Sequence, residues 1–391
     1  MSSKRELCAN TRAAQDGFTV KPVIRQVKTR RREADGTIVE EVHDVDVQYS
    51  HPNTGTWWAR AQAEIDADPA YEGAHIIIPI IVHIDKTTLD GLRKYSAFPV
   101  YISIANYSWK TYNEQGGMVL VALLPQPEAD PDWPGAGYKP DSEGFRGTKR
   151  FFMHGALGIV FESARAASYT GFEFVDPFGD KRKGVPLLYA ISKDLGEASS
   201  ISGVRSNCCD SCLVGPKELN KVREALAGEY TVRTEAHMCP KIMEIMDLQD
   251  AGAPQVRITE KCREYGVHPI TPWFFDWKYG NEDWNSPYLK MAPDDLHSVY
   301  GGVLGAHLPQ MMRALGKLLP MGATKLLETL DCRLHRIYTH HKPGHLRLPA
   351  SPTFFTNRYP TPNYEWKAVL QVLPALVAGL FRSGGRDVLV E

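Results

Sequence analysis

Three apolar runs between residues 75 and 125 dominate the hydrophobic pattern of the chain. Residues 76–84 are apolar except for His83, and residues 100–105 and 118–124 are also β-branched or apolar. Runs of this length, separated by turn residues, are typical of strands that are covered on both faces. The pattern therefore predicts three buried strands of one sheet.

The next elements follow from the same pattern. Residues 126–141 are rich in proline, glycine and aspartate and predict a loop. Apolar positions recur along one side of residues 146–167, which predicts a helix, and the pattern returns to strands over 171–180 and 185–192. The predicted order is three strands, a helix and further strands.

Two of the apolar strands run up to a carboxylate. Asp85 follows the first strand, and Asp194 follows the strand predicted over 185–192. A carboxylate at the end of buried apolar residues is costly unless a metal ion, a cation or solvent satisfies it. Asp85 has a second interpretation, as a cap of the turn around Thr87 and Thr88.

The stretch from residue 75 to 125 resembles the start of the catalytic domain of Plavaka-type transposases, a fungal branch of the CACTA-like DDE transposases. The similar segments are 84–87, 98–106 and 123–125. The resemblance implies an α/β fold, a ribonuclease-H-like mixed sheet with flanking helices and a large, mainly helical, zinc-binding insertion. It also implies metal-dependent DNA cleavage and strand transfer at transposon ends.

The resemblance implies three acidic ligands for Mg²⁺ or Mn²⁺, namely Asp85, Asp194 and a glutamate on a helix that returns to the sheet. Residues 364–373 open an apolar helix with Asn363 as a plausible N-cap. Glu365 lies in its first turn, where the resemblance places the catalytic glutamate. Without the resemblance, Glu365 is a first-turn acid favoured by the helix dipole. Asp85, Asp194 and Glu365 are thus the expected catalytic triad.

Seven cysteines include a cluster at Cys208, Cys209 and Cys212. Cys209 and Cys212 have the spacing of half of a tetrahedral zinc site. The alternative is a pair of thiols that bind no metal, and the neighbouring Cys208 leaves the choice of ligands ambiguous. The resemblance includes this pair, so we expect Zn²⁺ here.

The second half of such a zinc site needs histidines further along the chain. His297 and His307 lie in a segment similar to one of the Plavaka family, and they are the first choice. His335 and His340 are a competing pair with a tighter spacing on a predicted helix. Either pair has a simpler interpretation, as helix-face histidines satisfied by hydrogen bonds.

Composition adds limits to this interpretation. A hydrophobic content of 43% and a charged content of 23% are typical of a globular protein. A net charge of -1 means that contact with DNA requires local basic patches. No apolar run is long enough for a membrane span and the N-terminus lacks a signal-peptide core, so we expect an intracellular protein. The expected partner is DNA, the expected location is the nucleus, and a homodimer is possible.

The predicted organisation has four parts: an N-terminal arm and short helix (1–70), the first part of the core (71–200), a helical insertion with the zinc site (201–350) and a C-terminal helix that completes the core (351–391). No terminal DNA-binding module is recognisable, which is typical of a truncated or domesticated copy. Two alternatives therefore stay open. One is a catalytically inactive derivative that acts as a zinc-stabilised DNA- or protein-binding protein, and the other is a free-standing nuclease.

Overall fold

The chain forms two compact units in the computed structural model, residues 1–292 and 293–391. The structure describes residues 26–32, 38–44, 52, 55–71, 75–88, 96–113, 116–124, 127, 142–193, 198–219, 221, 223–224, 227–293, 300, 304–305, 307–340, 346, 348–349, 351–356, 363–380, 382–383 and 386–387. Each unit is described by itself.

The first unit contains both strands and helices, and its last strand crosses the division at residue 292. The described strands are Gln26–Arg32 (β1), Ile38–Asp44 (β2), His75–Ile84 (β3), Thr87–Thr88 (β4), Ser96–Ile104 (β5), Val119–Leu124 (β6), Phe172–Val175 (β7), Lys181–Lys193 (β8) and Met291–Pro293 (β9). The described helices are Thr56–Ala67 (α1), Trp109–Asn113 (α2), Glu143–Thr170 (α3), Ala198–Ser202 (α4), Glu235–Asp250 (α5) and Gln255–Tyr265 (α6).

One seven-stranded sheet organises the first unit, with the order β4-β5-β3-β8-β7. In addition, β6 pairs with β5 and β9 pairs with β8. The central strand β3 is antiparallel to β5 and parallel to β8, so the sheet is mixed. This mixed α/β arrangement with flanking helices is compatible with the predicted ribonuclease-H-like fold.

The three strands predicted from the apolar runs are confirmed as β3, β5 and β6 of this sheet. The prediction that all three are buried is wrong for β6, where Leu120 is 49% exposed and Leu123 is 60% exposed. In the described part of the chain β6 pairs only with β5, which makes it an edge strand. An edge strand has fewer neighbours to cover it, and hydropathy alone does not distinguish it from a central strand.

Alternate residues of β3 pack on two different layers, because successive side chains of a strand point to opposite faces. Ile80 and Val82 belong to the core that contains Leu157 and Phe161 of α3. Ile77 and Ile81 belong to a second core. That core contains Trp58, Ala61 and Ile65 of α1. The helices α3 and α1 therefore cover opposite faces of the sheet, which we call the α3 face and the α1 face.

The long helix α3 has defined signals at both ends. Its N-cap Ser142 accepts a hydrogen bond from the backbone nitrogen of Phe145, at 3.2 Å. This bond satisfies one of the free N–H groups of the first turn. The helix ends at Gly171, whose φ of 68° is readily adopted only by glycine. The prediction of a helix over 146–167 is confirmed, with a few more residues at each end.

Residues 198–292 are mainly helices and turns. The sequence of residues 237–251 predicts a helix, and this prediction is confirmed as α5. Its N-cap Thr234 accepts a hydrogen bond from the backbone nitrogen of His237. The charged sequence of residues 215–229 also predicts a helix. The structure has a 3-10 turn at Pro216–Glu218 and helical residues at 223–224, and parts of the remainder lie outside the described residues. The density of aromatic residues at Trp273, Phe274, Phe275, Trp277 and Trp284 predicts core packing rather than base stacking, and the first four of these side chains are buried.

The second unit is built on three helices, Leu308–Leu318 (α7), Gly322–His340 (α8) and Asn363–Val377 (α9), followed by the paired strands Arg382–Ser383 (β10) and Arg386–Asp387 (β11). Its core includes Leu326 and Leu330 of α8 and Trp366 and Val369 of α9. The division at residue 292 falls inside the range 201–350 assigned to the insertion, and the four-part organisation stays a prediction. No helix among the described residues is long and apolar enough to cross a membrane.

Candidate active site

Asp85 lies where the buried central strand leaves the sheet. Every residue of β3 is buried except His83, which is partly exposed, and Asp85 directly after the strand is exposed. Solvent therefore reaches the position at which sequence analysis placed the first carboxylate, and an ionised side chain is tolerated there.

The parallel pairing of β3 with β8 fixes what lies beside this position. His83 pairs with Ser192, and the last pair of the ladder is Ile84 with Lys193. Asp85 follows Ile84 in the chain as Asp194 follows Lys193. Asp194 itself lies outside the described residues.

His83, two residues before Asp85, forms a hydrogen bond with Tyr112. The Nε2 atom of His83 and the hydroxyl of Tyr112, on α2, are 2.6 Å apart. Burial lowers the pKa of His83 and raises the pKa of Tyr112, so both groups are neutral near pH 7. Since β3 residues two apart share a face, His83 lies on the α1 face with Ile81 and Ile77.

Cys208, Cys209 and Cys212 lie in one loop, which we call the cysteine loop. Cys212 forms a short antiparallel bridge with Val232. The thiols of Cys209 and Cys212 are close enough for Cys209 to contribute to the raised pKa of Cys212. The backbone nitrogen of Ser211 also points at Cys209 Sγ, at 3.4 Å. Burial raises the pKa of the Cys212 thiol, so this thiol is protonated at neutral pH when no cation is bound.

A buried arginine holds this loop. Arg233 is 2% exposed. Its Nε donates to the carbonyl of Cys209 at 2.8 Å, and its backbone nitrogen donates to the carbonyl of Ser211 at 2.9 Å. Within the described part of the chain, no carboxylate pairs with Arg233. Its positive charge favours the thiolate forms of Cys208 and Cys212. Burial has the larger effect, so the pKa values of both thiols are raised overall. Two cysteine sulfurs are donors that a soft cation such as Zn²⁺ prefers.

An ion pair connects the cysteine loop to the end of β8. Lys193, the last residue of β8, is 5% exposed and its Nζ lies 2.8 Å from Oδ2 of Asp210. Asp210 stands between Cys209 and Cys212, and Lys193 immediately precedes Asp194. The predicted metal-binding loop and the predicted second acid are therefore linked through one contact.

The remaining predicted ligands are not brought together by the described structure. His297 lies outside the described residues. His307 is exposed where α7 begins, and His335 and His340 are exposed on α8, all in the second unit. The described residues contain no group of three or more histidine, cysteine, aspartate or glutamate side chains that could hold a metal ion. The zinc site therefore stays a prediction.

Glu365 is also in the second unit. It lies in the first turn of α9, as predicted, and is partly exposed. Burial raises its pKa above the usual value for a glutamate. The neighbouring Trp366 anchors this turn in the core of the second unit, where it packs against Phe354 with 4.5 Å between ring centroids.

Sequence reasoning missed the residues that support these positions. Tyr112, Arg233 and Lys193 each act through a partner between 17 and 29 residues away. No local pattern marks such a pair, because the contact exists only after the chain has folded. The sequence marks these contacts only by a polar residue in an apolar strand, His83 in β3 and Lys193 in β8.

A model of the Plavaka transposase family matches residues 33–311. The chain belongs to this family. The match contains β3, β8 and the cysteine loop, and it ends before α9 and Glu365. Members of a transposase family act on DNA and generally use divalent metal ions. A search of curated proteins found no match.

Proposed function

We propose that this Plavaka-family chain is a DDE transposase that cleaves DNA phosphodiester bonds and joins strands at transposon ends. The observation that carries the proposal is the parallel register of β3 and β8, which ends with Ile84 beside Lys193. Neighbouring strands are about 4.8 Å apart. Asp85 and Asp194 each come one residue later, so this register supports two carboxylates at adjacent positions on one edge of the sheet.

Two adjacent carboxylates suit a pair of hard divalent cations. Mg²⁺ and Mn²⁺ prefer oxygen ligands, and one or two protein carboxylates commonly hold them together with phosphate oxygens. When bound, such a pair stabilises both the attacking and the leaving oxygen of an in-line phosphoryl displacement. The exposure of Asp85 supports this role, because a DNA phosphate can approach it from solvent.

We assign the third acid to Glu365. Its place in the first turn of an apolar helix agrees with the resemblance described above. The raised pKa of its carboxyl is a property of the free protein, and a bound cation favours the ionised form. The match to the family model ends at residue 311, so support for this assignment is separate from that for Asp85.

We also propose a structural Zn²⁺ held by Cys209 and Cys212. His297 and His307 complete the site in this proposal, and His335 and His340 are the alternative pair. The buried Arg233 supports the proposal by holding the backbone of the loop at Cys209. A nuclear location and a homodimer stay predictions.

The test is nicking and strand transfer on labelled DNA that carries the ends of the element, with Mg²⁺ or Mn²⁺. We expect Asp85→Asn, Asp194→Asn and Glu365→Gln each to remove activity by at least about 100-fold, since loss of a metal ligand removes several kcal/mol of transition-state stabilisation. Glu162→Gln is the matched control, because this exposed acid of α3 lies on the opposite face of the sheet. Zinc is quantified in the same preparations.

Each outcome selects one function. Loss of activity in all three folded variants, with the control active, supports the transposase. Cleavage without strand transfer identifies a free-standing nuclease. If the wild-type protein binds zinc and cleaves none of the substrates with either cation, the catalytically inactive DNA- or protein-binding derivative replaces the proposal.

A further inference from the structure

Lys290 is a buried lysine whose amine has no ionic partner among the described residues. It ends the 3-10 turn Pro287–Lys290 and is 6% exposed. Its Nζ lies 4.5 Å from the centroid of the Trp57 ring. Among the described residues, no hydrogen bond or ion pair satisfies this amine.

Burying an ammonium group without a counter-charge is unfavourable. Burial lowers the pKa of Lys290 to about 7. The contact with the Trp57 ring offsets only about 0.5–2 kcal/mol of the desolvation cost. A bound anion would therefore reduce the cost of burying this amine, and the described residues do not supply one.

The surroundings of Lys290 form an aromatic–cation cluster of Trp57, Arg60, Tyr189, Trp284 and Lys290. The Trp57 ring lies 4.8 Å from that of Tyr189 and 6.4 Å from that of Trp284, measured between centroids. Arg60 lies over the Trp284 ring at 4.9 Å. Two cations are thus placed on two neighbouring indole rings.

The geometry of the cluster is fixed by its supports. The indole nitrogen of Trp57 donates to Asn285 Oδ1 at 2.9 Å, and Asn285 is buried. Trp57 therefore cannot turn away from Lys290 without losing this bond. The ion pair of Arg60 with Glu64 is long, at 3.9 Å, and exposed. Such pairs contribute little, so Arg60 can exchange Glu64 for another anion.

The cluster lies on the α1 face of the sheet, the face on which His83 lies near the end of β3. Trp57, Tyr189 and Trp284 pack against the core that contains Ile77 and Ile81 of β3, on the α1 face. His83 continues that face, and Asp85 follows two residues later, directly after the end of the strand. A polymeric substrate bound at the end of β3 can therefore extend over this face.

We propose that the aromatic–cation cluster binds a backbone phosphate of DNA, with Lys290 as the anchor and Arg60 beside it. This inference rests on the proposed function, because it assumes DNA as the substrate. A phosphodiester carries the negative charge that Lys290 lacks, and phosphate contacts position DNA without reading its sequence. A local site of this kind suits a chain with a net charge of -1, whose overall field does not attract DNA.

The test is DNA binding by the full chain, measured by fluorescence anisotropy in Ca²⁺ to separate binding from cleavage, over a series of salt concentrations. The variants are Lys290→Met and Lys290→Arg. Lys149→Met is the matched control, because Lys149 is an exposed lysine of α3 that lies over the Phe145 ring on the other face. Thermal unfolding accompanies each variant. We expect Lys290→Met to stay folded, since it removes a buried charge and keeps the length of the side chain.

We expect Lys290→Met to weaken binding of single- and double-stranded oligonucleotides about five- to tenfold. The slope of log affinity against log salt concentration should fall by about 0.7–0.9, the value of one phosphate contact. Lys290→Arg should keep the wild-type slope, and Lys149→Met should change neither quantity. Inorganic phosphate should compete only at concentrations far above those of the oligonucleotides.

Three results overturn the inference. If Lys290→Met binds DNA with the wild-type affinity and slope while the wild-type protein nicks DNA, the cluster is not a DNA contact and the proposed function stands. If the wild-type protein binds no DNA and nicks none, both fail together. If inorganic phosphate binds tightly and depends on Lys290 while DNA binding does not, the cluster is a small-anion site.

Discussion

Lys193 and Asp210 form an ion pair in which the lysine is almost fully buried, with 2.8 Å between Nζ and Oδ2. The pair connects the end of a central strand to the loop between two cysteines. Because Asp210 is partly exposed, the desolvation cost falls mainly on Lys193. The consequence of breaking the pair depends on which partner is removed.

Asp210→Asn should lower the free energy of unfolding by about 1–3 kcal/mol, because it leaves the Lys193 ammonium buried without a counter-charge. Lys193→Met should cost less, since it removes the buried charge as well. Urea denaturation of both single variants and the double variant measures the coupling. A coupling energy below about 0.5 kcal/mol would show that the pair does not stabilise the fold.

The α3 helix offers a matched pair of core and surface positions. Leu157 is 0% exposed in the core of the first unit, and Ile159, two residues later, is 77% exposed. Leu157→Ala should cost about 3–4 kcal/mol of unfolding free energy, through lost burial and the cavity that remains. Ile159→Ala should stay within about 0.5 kcal/mol of wild type. Equal costs for the two variants would contradict the assignment of the α3 face.

The pH dependence of stability should come in part from His154. Its Nε2 lies 2.8 Å from the carbonyl oxygen of Ser200, and its Nδ1 accepts from the backbone nitrogen of Trp273 at 3.1 Å. This arrangement requires the neutral ring. Burial lowers the pKa of His154 from 6.5 to about 4, so the unfolded chain binds a proton more readily than the folded one.

The contribution of His154 is therefore complete above about pH 6.5 and is lost as the pH falls from there towards 4. Between pH 6.5 and 5 the loss should be about 2 kcal/mol of unfolding free energy. His154→Asn should be less stable at pH 7 and less sensitive to acid over this interval. Between pH 7 and 8 the two proteins should show the same dependence, which serves as an internal control. An unchanged acid sensitivity in the variant would contradict the prediction.

The strands that carry the site were predictable because each is marked by a local property. The apolar runs identified β3, β5 and β8, and the carboxylate after residues 76–84 identified Asp85 at the exposed end of β3. The parallel pairing that sets β8 beside β3 is a long-range property. It entered through the order of the elements and the family resemblance, not through any single run.

The supporting contacts were not predictable for a physical reason. Arg233 and Lys290 look like ordinary surface residues in the sequence, because arginine and lysine are rarely buried. Their burial depends on where the turns after residue 266 place the chain. The helix predicted over 215–229 begins with a 3-10 turn at Pro216–Glu218 and is helical at residues 223–224, and the other residues that would test it lie outside the described part of the chain.

The hydrogen bond between Tyr112 and His83 should contribute to the stability of the first unit. The two atoms are 2.6 Å apart and both groups are partly buried and neutral, as the directions of their pKa shifts require. A neutral hydrogen bond contributes about 1 kcal/mol, and an unsatisfied buried partner costs about 1–3 kcal/mol. Tyr112→Phe should therefore lower the free energy of unfolding by about 1–2 kcal/mol.

Tyr101→Phe is the matched control, because Tyr101 pairs with His83 across the β3–β5 ladder but is 38% exposed. Its loss of stability should stay within about 0.5 kcal/mol. Since His83 lies two residues before Asp85, Tyr112→Phe should also slow metal-dependent nicking about three- to tenfold without weakening DNA binding, through a less firmly held end of β3. A variant that loses stability but nicks DNA at the wild-type rate would assign the pair to the fold alone.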